Sequence, residues 1–294
     1  INADEIVSAI IERRKQEYNQ NSSMTQADIR MKEVKALQRQ SSRNDIHAEL
    51  QTTPEPVDQS IIELVTRVTL VERLREVRAL RGFTRIDPPD PSSSTEQKIS
   101  PISRSYTGWL PAVEVRGEGI YMELNEEAVI EWSKKRVIAE RAEQLNNVYI
   151  SICERRNWHV SRRITPRFIL THSLAHALIR QLSLDSGYAS ASIRERLYVK
   201  EPDYEDGIQG TAGLLLYTST PDSEGSLGGL VRLGKKEHFT KILTEAVQSA
   251  AWCSSDPLCM ESTGQGPDAT NLAACHACLL LPETCCEEYN RFLD

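Results

Sequence analysis

The chain has 294 residues, 39% of them apolar, and a formal net charge of −7 from 42 acidic and 35 basic side chains. That composition, with a mean hydropathy of −0.43, describes a globular protein with one large domain or two ordinary ones. No run approaches the ~18 unbroken apolar residues of a membrane-spanning helix. A chain-wide basic field for nucleic acid is excluded, though a local basic strip is not. The opening lacks a basic stretch followed by an apolar core and a cleavage site, which points to a cytoplasmic setting without membrane attachment. Starting on Ile1 and stopping at Asp294, the chain is expected to be part of a longer polypeptide.

Residues 1–58 are polar and charge-mixed. Ile6, Ile10 and Ile11 fit one helical stripe, and Ile29, Val34 and Leu37 fit another, with Thr25 as a cap between them. Residues 41–58 lack apolar periodicity and carry Pro54 and Pro56, so the region reads as peripheral or partner-ordered, not as core. Between Ser60 and Gly82 the apolar residues Ile61, Ile62, Leu64, Val65, Val68, Leu70, Val71, Leu74, Val77 and Leu80 give a stripe at three-to-four spacing with arginines interleaved, which predicts a helix. PPDPSSST marks a Pro/Ser linker within 87–105. Residues 109–124 read as two strands turning at Gly117 and Gly119.

Helical spacing returns over Asn125 to Cys153, with Asn125 or a neighbour as cap, and a mostly apolar helix is expected from Pro166 through Leu184. Residues 189–199, 213–218 and 230–233 read as strands, and 239–252 as a helix. The fold class expected is α+β. A mostly helical region with a Pro/Ser linker (1–105) precedes a mixed α/β domain (106–294) that ends in a small four-cysteine zinc-binding subdomain at about 253–294.

Cysteine usage is the strongest chemical signal. Cys153 stands alone and reads as a core residue, while Cys253, Cys259, Cys275, Cys278, Cys285 and Cys286 crowd into 34 residues. Such clustering in a reducing compartment points to metal rather than to a disulfide scaffold. Cys275-His276-Ala277-Cys278 lets two thiolates face one centre, with Cys259 sixteen residues before and Cys286 eight after to close a tetrahedron. Adjacent Cys285 and Cys286 cannot both bind one ion without strain, and Cys253 and His276 remain reserve ligands. All-thiolate zinc has no open position, so the expected cofactor is structural Zn2+.

At these residues the chain resembles a family. Trp252-Cys253-Ser254-Ser255-Asp256-Pro257-Leu258-Cys259, then Asn271-Leu272-Ala273-Ala274-Cys275-His276-Ala277-Cys278, then Pro282-Glu283-Thr284-Cys285-Cys286-Glu287 look like the MrfA-type zinc-binding domain. That domain closes the MrfA family of DNA-repair helicases and also occurs in DrmB, a component of the DISARM anti-phage system of bacteria. Val71-Glu72-Arg73-Leu74-Arg75-Glu76-Val77, Trp109 to Gly119, His172-Ser173-Leu174-Ala175-His176-Ala177-Leu178 and Asp222 to Leu230 look more like DrmB than like the helicases. The likeness spans roughly residues 60–294.

It implies a non-catalytic accessory subunit that pairs with a DrmA-like helicase and helps it engage DNA, in a heterodimer within the cytoplasm. It also implies the zinc ligands Cys259, Cys275, Cys278 and Cys286, with Cys285 a bystander and Cys253 inside the matching stretch. The rival reading is the zinc-binding C-terminal part of a single-chain DNA-repair helicase.

Other signals carry less. Gly229-Leu230-Val231-Arg232-Leu233-Gly234-Lys235 matches a phosphate-binding loop until Lys236 stands where Ser or Thr would hold Mg2+. The strand-like LVRL within it cannot wrap phosphate, so no helicase motor or catalytic residue is expected. His172 and His176 share a helical face, but Ser173 replaces the Glu of the metalloprotease pattern. Buried imidazoles are the plainer reading, and a hydrolase using them with Asp222 or Glu224 is a third hypothesis. Finally, Arg155, Arg156, Trp158, Arg162, Arg163 and Arg167 form a candidate strip for DNA phosphates, with the indole free to stack on a base.

Overall fold

The computed structural model describes residues 26–41, 49–83, 100–105, 108–205, 207, 209–218 and 228–294. These belong to two compact units, residues 1–39 and 40–294. In the first, the described part is helix α1 (Gln26–Leu37) and its closing turn, in which the Gln38 N–H donates to the Val34 carbonyl. The stripe at Ile6, Ile10 and Ile11 and the cap at Thr25 fall outside the described residues.

The second unit is built on a five-stranded antiparallel sheet in the order β1 (Leu50–Glu55), β2 (Val65–Ala79), β5 (Ala112–Leu124), β7 (Thr211–Thr218) and β6 (Ile193–Lys200). A short pair, β3 (Gly82–Phe83) and β4 (Ser100–Pro101), stands apart. β1 lies at an edge, where Pro54 removes a ladder donor at least cost. Segment 41–58 is therefore not wholly peripheral: Thr52 of β1 is fully buried.

Residues 65–79 form a strand, not the expected helix. Val65, Thr66, Val68, Thr69 and Val71 are β-branched and suit a pleated surface. The pairing with β5 slips between Val71 and Leu74, opposite Gly119 and Gly117. Such a bulge adds a residue and breaks the period of two, so the apolar positions mimic helical spacing.

β5 likewise runs unbroken where a hairpin was expected at Gly117 and Gly119. Gly119 meets close approach rather than a turn: a Cβ there would stand 2.6 Å from the Leu216 carbonyl oxygen of β7. Residues 230–233 also differ from expectation. They lie in the one-turn helix α5 (Gly229–Leu233), entered through Gly228 at φ +119°.

The longer helices follow their sequence signals. Asn125 caps α2 (Glu126–Ser133) by accepting the Ala128 N–H at 3.2 Å. Helix α3 (Arg136–Arg156) ends at left-handed Asn157. Helix α4 (Pro166–Ser186) starts with Pro166 behind the Thr165 cap, ends at left-handed Gly187 and packs on β6, β7 and α6 (Lys236–Ala250). Among the described residues no helix is long and apolar enough to cross a membrane.

The Cys-rich tail is irregular but belongs to the core. Leu272, Leu279, Leu281, Phe292 and Leu293 are buried in one cluster with Phe168, Leu178 and Ile179 of α4. Two buried asparagines replace the missing ladder. Asn290 accepts the Leu281 N–H at 3.0 Å and donates to the Leu281 carbonyl at 2.7 Å. Asn271 accepts the Leu293 N–H at 3.0 Å and donates to the Asn290 carbonyl at 2.7 Å. Buried backbone groups need such partners where no regular element supplies them.

Candidate metal centre

Two local turns bring four sulfurs together. After α6 the chain bends at Cys253, where the Asp256 carboxylate accepts the Cys253 N–H at 2.9 Å and the Met260 N–H at 3.0 Å. That staple folds Cys253 and Cys259 towards one point. In the second turn the Cys275 carbonyl accepts the N–H of Cys278, Leu279 and Leu280 at 3.1–3.2 Å, so both thiols of the C-x-x-C face the same way.

The Sγ separations are 3.5 Å for Cys253–Cys275, 3.7 Å for Cys259–Cys278 and 3.8 Å for Cys275–Cys278. All four sulfurs lie within 4.8 Å of one another. A tetrahedron with zinc–sulfur bonds of about 2.3 Å has edges of about 3.8 Å, whereas a disulfide needs ~2.05 Å. The donor set and spacing fit zinc, and all seven cysteines are free thiols.

The surroundings fit a thiolate cluster as well. Each sulfur accepts an N–H: Cys253 from Ser255 at 3.4 Å, Cys259 from the Gln265 amide at 3.6 Å, Cys275 from Ala277 at 3.4 Å and Cys278 from Cys275 at 3.2 Å. Such donors disperse thiolate charge and orient the ligands. Burial pushes the metal-free Cys259 and Cys278 thiols up. Burial would raise Cys275 too, but the Ala277 amide and the neighbouring thiols bring it down to about 7.

Of the four cysteines expected as ligands, the structure gathers Cys259, Cys275 and Cys278. Cys286 is elsewhere, and Cys253 takes the fourth place. The reason is local. The Cys286 sulfur is held by the Glu288 N–H at 3.3 Å and the Asn290 N–H at 3.2 Å, and stands 3.1 Å from His172 Nε2. Its neighbour Cys285 turns to the Ser190 carbonyl at 3.2 Å. Two short-range turns, C-x5-C around Asp-Pro and C-x-x-C, are the signal that favours Cys253 over the more distant Cys286.

The arginine strip is wired to acids of the same chain. Arg155 and Arg156 share Asp268 at 2.9 and 2.8 Å, Arg162 pairs with Glu288 at 3.0 Å and Arg163 with Glu143 at 2.7 Å. Arg167, 3% exposed, makes a bidentate pair with Glu126. Trp158 packs against the core beneath the Arg156 guanidinium, 4.9 Å from its ring centre.

The amides of the phosphate-loop look-alike are occupied from within. The Glu118 carboxylate accepts the N–H of Gly228 at 2.6 Å and of Leu230 at 2.8 Å. His172 and His176 of α4 are fully buried, while Asp222 and Glu224 fall outside the described residues.

Comparison with known proteins agrees with this chemistry. Residues 174–279 match the MrfA Zn-binding domain family. A protein named DISARM protein DrmB, from Bacillus paralicheniformis, is 35% identical over 284 residues, covering 93% of this chain and 48% of that protein. The chain thus spans about half the length of that relative. A crystal structure titled as the DUF1998 helicase MrfA bound to DNA aligns over 70% of this chain and 21% of its own. Its identity is 13% and its TM-score 0.29, too low to bear on the fold.

Proposed function

The chain is DrmB-like and carries an MrfA Zn-binding domain, and from that premise we propose a non-catalytic, zinc-stabilised accessory module of an anti-phage defence complex in the bacterial cytoplasm. Its work is to dock on a DrmA-like helicase subunit and help that motor engage DNA. One observation carries the reading: identity to a DISARM protein runs through 93% of the chain instead of stopping at the zinc motif.

The chemistry of the site supports a structural role. Zinc held by Cys253, Cys259, Cys275 and Cys278 has four thiolates and no open position for substrate or water. Bound there, it clips the exposed segment 260–269 to the core, adding its binding free energy to folding. DNA engagement draws support from the two most exposed arginines of the strip, Arg155 and Arg163, at 63% and 71%.

The test is co-expression with a DrmA-like helicase. The chain alone is expected to hydrolyse no ATP, to co-elute with the helicase and to tighten its grip on DNA. Failure to co-elute, or ATP turnover by the chain alone, would overturn the reading. Helicase motifs upstream in the same open reading frame would instead favour the single-chain repair helicase.

A further inference from the structure

We propose that the chain holds a second metal centre, a buried zinc site made by His172, His176, Glu195 and Cys286. The four come from separate parts of the fold: the two histidines one turn apart on α4, Glu195 from β6 and Cys286 from the tail. Their ligand atoms lie within 4.8 Å of one another, and every one of these residues is buried.

The geometry is that of ligands around a point. His172 Nε2 stands 3.2 Å from Glu195 Oε1 and 3.1 Å from the Cys286 sulfur, and His176 Nε2 stands 3.6 Å from Glu195 Oε2. Tetrahedral zinc with Zn–N and Zn–O of about 2.0–2.1 Å and Zn–S of about 2.3 Å gives edges of about 3.3–3.6 Å. The neighbouring tail supplies an outer contact to one of the two imidazoles, while His172 Nδ1 is buried without a hydrogen-bond partner among the described residues. The Leu279 carbonyl lies 2.8 Å from His176 Nδ1, which fixes the tautomer with the proton on Nδ1.

That tautomer leaves a lone pair on Nε2 facing a carboxylate oxygen. Both atoms are buried, and neither has a hydrogen-bond partner. Two facing acceptors without a donor are costly in a dry interior, and a cation between them removes the conflict. The charges also close: Zn2+ is balanced by one carboxylate and one thiolate. On binding, the Cys286 thiol loses its proton to solvent, the carboxylate binds as it is, and each imidazole binds neutral through Nε2. Four protein ligands leave no open position, so the ion ties α4 and β6 to the tail and does no chemistry.

The experiment is zinc content and zinc-edge X-ray absorption on the intact chain, purified without added metal. Two zincs per chain are expected, one with four sulfurs and the other with one sulfur and three lighter atoms. The Cys275→Ser/Cys278→Ser variant is expected to keep one zinc, with a shell of one sulfur and three lighter atoms. His176→Gln is expected to keep one zinc bound by four sulfurs. One zinc per chain in an all-sulfur shell overturns this inference and leaves the four-cysteine reading standing. One zinc in a shell dominated by nitrogen and oxygen does the reverse. The wild-type measurement decides between them even if a variant fails to fold.

Discussion

Glu118, 1% exposed on β5, aims its carboxylate at the first amides of α5, with the Leu230 N–H donating at 2.8 Å. A carboxylate at a helix start satisfies orphan donors and meets the positive end of the backbone dipoles. It also occupies the place a phosphate would need, a stronger physical objection to nucleotide binding than the missing Ser or Thr. Glu118→Ala is expected to destabilise the chain by about 1.5–3 kcal/mol, because the amides of Gly228 and Leu230 lose a charged acceptor. Urea unfolding measures this, and a change under ~0.5 kcal/mol would contradict the assignment.

Arg167 and Arg155 belong to one sequence strip yet should behave oppositely. Arg167→Ala leaves Glu126, 31% exposed, without its bidentate partner and empties a buried site, and is expected to cost about 2–3 kcal/mol, less than a fully buried pair. Arg155→Ala breaks an exposed pair and should cost no more than about 1 kcal/mol. Thermal melts of both variants provide the check. If Arg155→Ala weakens DNA binding by the complex without lowering stability, the strip contacts DNA as well as holding the fold.

Gly119→Ala places a methyl group 2.6 Å from the Leu216 carbonyl and 2.9 Å from the Tyr217 Cβ. β5 and β7 must separate to admit it, at a cost of about 1–3 kcal/mol. Chemical denaturation would show the loss. A change under ~0.5 kcal/mol would contradict this close approach of β5 and β7.

Zinc affinity of the four-cysteine site should climb steeply with pH. Cys259 and Cys278 have raised thiol pKa values without metal, so both carry protons at neutrality and must shed them on binding. Cys275, near 7, is already partly ionised there. Lowering pH from 8 to 6 therefore favours the metal-free cluster, and the loss should be at least about 100-fold per pH unit. Competition with a chromophoric chelator across that range reads the slope; a flat profile would contradict ligation by these thiols.

Much of the fold is legible in local chemistry. The cap near Asn125, the Pro166 start of α4 and the runs of β6 and β7 each need only neighbours in sequence. β2 was not legible as a strand, because the bulge between Val71 and Leu74 converts a period of two into helical spacing. Its density of Val and Thr was the available clue. Gly119 reads as a turn until β7, about a hundred residues on, is seen against it.

The zinc site was legible in kind but not in full membership. Beyond the C-x5-C spacing, the choice between Cys253 and Cys286 rests on Asp256 folding one loop and on His172 engaging the other sulfur, contacts that only the fold assembles. Glu195 carried no signal at all beside the histidines, because only the packing of α4 on β6 brings it there.

The most direct measurement is a crystal structure with anomalous scattering collected on both sides of the zinc edge. The account predicts a peak about 2.3 Å from the sulfurs of Cys253, Cys259, Cys275 and Cys278. A peak bound to Cys286 in place of Cys253, or bridged sulfur pairs with no peak among them, would contradict it.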